Sequence, residues 1–523
     1  MEYNTIIFWF VCFSCATGVV VTLKRGRAAG IGWSVLFLVI LLTAVAGWLM
    51  ERAALVYAAG AMWLVLVLLP GLLGTLYYRR FLQQKYSAAY RLARIIGWLH
   101  PADGWRQQPQ IVRAVDLAQR GELPAAMEAL KRFQDAPSVI GLTAMPVLYR
   151  ITGQWEELFA WEVRHSREIE RMPQLLHVRL RARGETGDLR GLVELYDRHN
   201  AQIGKLTPAP SRDLCRLMLF AFCGKRALAE RLFAGSLTIL PAATQRFWLA
   251  TADLAAGNYD AAKRELEQLL PSADAPMRLA IERRLALGSA PREATDTYIE
   301  RVIEAAALEQ SHDDRFGARP TLFSKLARAT QLLIVLNLMM FGAELCLGGS
   351  TSAEALFRLG ALFPPAVRGG EWWRLIAAIF LHFGALHLAM NMIALWMLGP
   401  FTEFALGFRR FLLIYLLTGI GSMGFVMAFA SGPTGEQLTV GASGSVMGLI
   451  GATGALMLRG WWREKAKAAQ RRLIAMLSIV AMQAAFDSVV PQVSMAAHLS
   501  GAVIGFMATL LLSDRLMRGR GME

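Results

Sequence analysis

Of the eight histidines in this 523-residue chain, three fall in its strongly apolar C-terminal part: His382, His387 and His498. An ionisable side chain inside a bilayer span is costly enough that a functional role is its default reading. A positioned imidazole can accept or give up a proton near neutral pH, or donate a hydrogen bond to developing negative charge. Ser443 lies in the same part, flanked by Gly441, Ala442 and Gly444. A serine hydroxyl is a weak nucleophile at neutral pH and needs a neutral imidazole to take its proton. His387 and Asn391 are four residues apart, which stacks them on one helical face. Competing chemistries lack their signatures. HExxH is absent, and Ser445 stands where a GxSxG elbow needs its second glycine, with no strand pattern before it. No metal or cofactor is implied.

Membrane spans must hold these residues in place. Hydrophobic residues make up 55% of the chain, and apolar runs long enough to cross a bilayer fall at about 5–22, 31–50 and 55–77. Six more follow, at about 329–347, 380–399, 411–430, 442–458, 473–490 and 495–513. No Lys or Arg precedes the first run, while Lys24, Arg25 and Arg27 follow it, the order of an uncleaved anchor with its N terminus outside. Counting onward, Arg79, Arg80, Lys85, Lys325, Arg328, Arg409, Arg410, the cluster at 459–472 and the tail at 515–520 all come out cytoplasmic. The three histidines then lie towards the external ends of their spans. The net charge of +15 sits largely in these inward loops, so anionic lipid and topology account for it and nucleic-acid binding is not expected. Cys12, Cys15, Cys215, Cys223 and Cys346 have no CxxC spacing and indicate neither a disulfide framework nor a zinc site.

Between about 86 and 320 the chain turns polar, with amphipathic helical periodicity. A phrase built on a glycine recurs at Gly121, Gly153, Gly187, Gly224 and Gly257, and "GNYDAAKRELEQLLP" is its clearest copy. A period near 34 residues, with a helix on each side of the glycine, is what a tetratricopeptide-like solenoid needs. Such an array offers a groove for peptides or protein partners and no chemistry of its own.

The stretches "GEWWRLIAAIFLHFGALHLAMNMIALWMLGPFTEFALGFRRF", "GASGSVMGLIGATGALM" and "AAHLSGAVIGF" together resemble the rhomboid family of intramembrane serine proteases over about residues 321–523. The resemblance implies Ser443 as nucleophile and His498 as general base, with His387, Asn391 and the Ser443 amide stabilising the oxyanion. Gly444 and Gly448 on one span, Gly501 and Gly505 on the other, with Gly441 just before Ser443, would let the two helices approach closely. His382, Trp373, Arg374 and Glu403 match positions that shape the loop and the internal hydrogen bonds. Met447 stands where an aromatic commonly stacks on the catalytic histidine, and holds the ring less firmly. The family works with a dyad, and Asp487 is read as solvent-facing or structural.

The expected fold is all-α: a polytopic membrane protein with three N-terminal transmembrane helices (1–80), a cytosolic α-solenoid (81–320) and a six-helix rhomboid core (321–523). The expected activity is cleavage of single-span membrane proteins near the outer face, through an acyl-enzyme. The bilayer and a cytosolic protein on the repeats are the other expected partners. Richness in alanine, leucine, glycine and arginine leans towards a bacterial inner membrane with the active site opening externally. The alternative from another class is a catalytically inactive relative that binds or escorts membrane proteins.

Overall fold

The computed structural model describes residues 3–24, 30–134, 139–286, 296–317, 327–429, 437–489 and 494–512. Arg25, Arg27, Lys325 and the tail at 515–520, all used above to count topology, lie outside them. Regular structure among the described residues is helical, apart from one isolated antiparallel bridge between Leu362 and Thr439. Two units result, Met1–Ala307 and Leu308–Glu523.

Among the described residues six helices are long and apolar enough to cross a membrane, two of them Ile31–Leu49 and Ala53–Leu82. At the other expected spans the chain forms Tyr3–Lys24, Ser443–Glu464 and Lys467–Val489. In the first unit, Phe8, Val11, Cys15, Ile40, Ala44, Val56 and Ala59 bury one another. Within Ala53–Leu82 the turn Leu64–Leu68 widens to a π-helix just before Pro70. Proline has no N–H and clashes with the carbonyl four residues back, and a widened turn relieves both. Asp103 accepts from the amides of Gly32 and Trp33 at 3.2 Å each, capping Ile31–Leu49 through a residue some seventy positions away.

The five recurrent glycines all adopt positive φ, and each ends one helix and starts another. The closure is the same every time: the amide after the glycine reaches back to a carbonyl five residues earlier, Glu122 to Leu117, Gln154 to Tyr149, Asp188 to Arg183, Lys225 to Phe220 and Asn258 to Asp253. This is the Schellman cap, which only glycine adopts without steric cost.

Helix Ala275–Ala286 lies against the first helices of these pairs. Arg284 donates to Glu185 Oε2 at 2.5 Å, sits over the rings of Phe222 and Phe247, and reaches Thr251. Arg283 donates to the Gly153 carbonyl. The surface expected to offer an open groove therefore carries a helix of the same chain.

In the second unit six long helices carry the labels α1 (Arg328–Cys346), α2 (Ala385–Leu406), α3 (Phe408–Phe429), α4 (Ser443–Glu464), α5 (Lys467–Val489) and α6 (Met495–Leu512). Helix α4 is the central one: every residue from Gly444 to Met457 is buried. Glu403 on α2 caps the start of α1, accepting from the amides of Ala329 and Thr330 and from the Thr330 hydroxyl, all at 2.8 Å. At the opposite end of the charge range, Lys467 pairs with Glu309 and Arg471 with Asp313. Part of the basic cluster at 459–472, expected to meet anionic lipid, is thus paired within the protein.

Burial opposes ionisation of Glu185, but Arg284 and Arg181 outweigh it and hold the carboxyl below its ordinary range. A depressed folded value contributes stability that is complete above the unfolded value of about 4.3 and lost as pH falls through the folded one. Glu185→Gln, which leaves Arg284 buried without its counter-charge, is expected to lower the stability of this region by about 3 kcal/mol at neutral pH. Amide hydrogen exchange over 209–286 checks this, and the gap between variant and wild type should close only in strong acid.

Candidate active site

Ser443 opens α4. Its helix begins at Ala442 without a side-chain cap, so the first amides, including that of Ser443, have no acceptor within the helix. Gly441, at φ 133°, turns the chain into α4 and anchors it by donating its amide to the Ala378 carbonyl at 2.9 Å. A Cβ there would sit 2.9 Å from His387 Nε2 and 3.7 Å from Ser443 Oγ. Imidazole and hydroxyl therefore flank the same small space, and glycine is required both for the left-handed backbone and for the room.

His387 stands in the first turn of α2. Asn391, one turn on, is buried and donates to the His387 carbonyl at 3.1 Å, a bond within its own helix. His382 precedes α2 and is fully buried, its ring set edge-on to that of His387 at 5.1 Å. Its backbone amide donates to Glu344 Oε1 at 2.8 Å. Glu344, a buried carboxylate near the end of α1, was not singled out in the sequence; an acidic residue inside "LNLMMFGAELCL" was the available signal.

Helix α6 reaches the site by backbone contact with α4. A side chain on Gly501 would collide with the Gly444 carbonyl, one on Gly505 with that of Gly448, and one on Gly451 with that of Ala502. On its other side α4 meets α3, where Gly444 faces Ser422 and Gly448 faces Thr418. His498 lies one turn before Gly501, as Ser443 lies one residue before Gly444, so the close pairing puts both at the same end of the two helices. Among the described residues no hydrogen bond joins Ser443 Oγ to His498.

Asp487 removes one of the two alternatives in the sequence reading, solvent-facing or structural. It is not solvent-facing: in the last turn of α5 it is 6% exposed, and its Oδ2 lies 2.7 Å from His498 Nδ1. Gln483, one turn earlier, donates to Asp487 Oδ1 at 2.7 Å and lies 3.4 Å from the same ring nitrogen. Met447 is buried among Ile450, Met476 and Ala502. Arg374 donates to the carbonyls of Phe357 and Ala361 and to Glu371, tying the segment between α1 and α2 together, while Trp373 is half exposed with Arg374 over its ring.

The match to a rhomboid domain covers residues 369–515. The chain is 35% identical over 184 residues to Rhomboid protease GluP of Bacillus subtilis, covering 35% of this chain and 34% of that one. It is 34% identical over 168 residues to RHOMBOID-like protein 5 of Arabidopsis thaliana, 32% of this chain and 53% of that one. Putative rhomboid protease YdcA of Bacillus subtilis is 33% identical over 154 residues, 29% of this chain and 73% of that one. The match thus spans between a third and about half of the first two relatives and nearly three quarters of the third.

Close packing at the site predicts a contrast between two glycines. Gly501→Val should destabilise the protein by about 2 kcal/mol or more, because helix backbones in contact cannot yield to a branched side chain. Gly454→Ala, whose methyl would meet only ordinary contacts beyond 3.5 Å, should be near neutral. Thermal unfolding of the purified protein in detergent compares them.

Proposed function

The chain belongs to the rhomboid family, and we propose that it is an intramembrane serine endopeptidase that cuts single-span membrane proteins near the outer membrane face. One observation carries this reading: Gly441 leaves the His387 imidazole and the Ser443 hydroxyl around one small space at the start of α4.

In this mechanism the substrate's transmembrane helix unwinds locally, because a hydrogen-bonded helix in hydrocarbon shields its carbonyls from attack. Ser443 Oγ attacks the exposed carbonyl while His498 accepts the hydroxyl proton. The oxyanion is met by the Ser443 amide, the His387 imidazole and the Asn391 amide, donors fixed before the charge develops. The intermediate collapses as His498 protonates the leaving amine, and water from the outer side hydrolyses the acyl-enzyme with the same base. His382, Trp373, Arg374 and Glu403 support the site from around it.

The topology in this reading has nine spans, with residues 81–320 in the cytosol of a bacterial cell as a tetratricopeptide-like array. The Asp103 cap on Ile31–Leu49 supports it, since that end of the span and the helical region then share one side. The array is read as the docking place of a cytosolic protein.

Purified protein in liposomes with a single-span model substrate tests the proposal. Ser443→Ala and His498→Ala should each lower kcat by about 1000-fold or more, and His387→Ala by about 100-fold. Substrate binding of equal strength in wild type and variants, with no cutting by any of them, would instead establish an escort.

A further inference from the structure

Two residues on neighbouring helices are joined by a contact that a serine–histidine pair alone does not need. Asp487 of α5 has a side chain that is almost wholly buried, and both of its oxygens are engaged: Oδ2 with His498 Nδ1 at 2.7 Å and Oδ1 with the Gln483 amide at 2.7 Å. A carboxylate so deep in an apolar unit is costly unless paired. Here it pairs with the one histidine on α6.

We propose that Asp487 is a positioning residue that completes a Ser443–His498–Asp487 triad, with Gln483 fixing the carboxylate. The inference rests on the proteolytic reading above. With Asp487 ionised, the short contact requires His498 to carry its proton on Nδ1 and donate it to Oδ2. Nε2 is then the ring nitrogen with a free lone pair, the form needed to accept the Ser443 proton. As Oγ bonds to the substrate carbonyl, its proton moves to Nε2, and the imidazolium keeps Nδ1–H against the carboxylate. Asp487 is not itself protonated; it stabilises the cation and holds the tautomer. Gln483 has a second use, because its amide cannot let the carboxylate swing away without losing its own bond.

The contact also answers the methionine at position 447. Met447 packs towards Met476 and Ala502, and the ring of His498 is held instead by the charge-assisted hydrogen bond that its Nδ1 donates to Asp487 on α5. The other ionisable groups around His498 are few. Helix α2 contributes His387, which interacts electrostatically with it; α5 contributes Asp487; the nearest on α3 is Tyr415, about two turns deeper than Ser422; and at that end α4 brings only the Ser443 hydroxyl.

The experiment compares wild type, Asp487→Asn and Asp487→Glu in liposomes, with active enzyme counted by fluorophosphonate labelling of Ser443. Asp487→Asn should lose about 100-fold or more in kcat with little change in KM. Asp487→Glu should recover part of the rate. A purely structural role would lower the fraction of active enzyme and leave kcat per labelled enzyme in place; that result overturns the triad while the protease stands. Should wild type cut nothing, the protease reading fails, and the triad geometry is decided separately by ¹⁵N NMR of the imidazoles, assigned with His498→Gln. A His498 resonance in the Nδ1–H form that changes in Asp487→Asn upholds the contact, and an Nε2–H form sinks it.

Discussion

Helices α4 and α6 touch backbone to backbone at Gly444–Gly501 and Gly448–Gly505, and the rest of the membrane unit is arranged around that contact. In lipid no hydrophobic drive pulls helices together, so close van der Waals packing must do it, and it can only where side chains are absent. The same approach leaves α4 with no exposed flank over three turns. It also fixes the level of Ser443 against that of His498, since two helices locked at successive glycines cannot slide by less than a turn.

Around this dry centre, polar groups are tolerated in specific places with specific partners. Glu403 neutralises the free amides at the start of α1, Arg374 gathers the carbonyls of a non-helical segment, and Glu344 holds the turn into α2 through the His382 amide. Each sits where irregular backbone or a helix end enters the apolar region. That is the pattern expected when water is not available to satisfy backbone groups. Most of these residues come from α1, α2 and the segment between them, which frames one side of the site, whereas α5 and α6 supply Asp487 and His498 from the other.

Much of this was legible in the sequence, and the reasons differ by residue. The five turn glycines were readable because a left-handed C-cap is a local demand that only one residue type meets cheaply, so spacing alone reveals it. Gly444, Gly448, Gly501 and Gly505 were readable for a similar reason: a small residue every fourth position marks a helix face. Asp487 was not, because whether a carboxylate near a span end faces water or a ring depends on the rotation of α5 against α6, which no periodicity in "AMQAAFDSVV" records. Helix Ala275–Ala286 fell inside the repeat region without being singled out, for the same cause. Its arginines look like an ordinary solvated face until the surface that receives them is in view.

That helix gives the first unit an occupant of its own. Arg284 enters between two aromatic rings with its charge met by Glu185, much as a guest side chain fills a receptor. A tethered guest is present at an effective concentration in the millimolar range without any partner being made. A foreign helix seeking the same surface competes against that standing concentration, so modest affinity is not enough. It must either bind far more tightly than its own contacts suggest, or take hold of the outer faces that Ala275–Ala286 leaves bare.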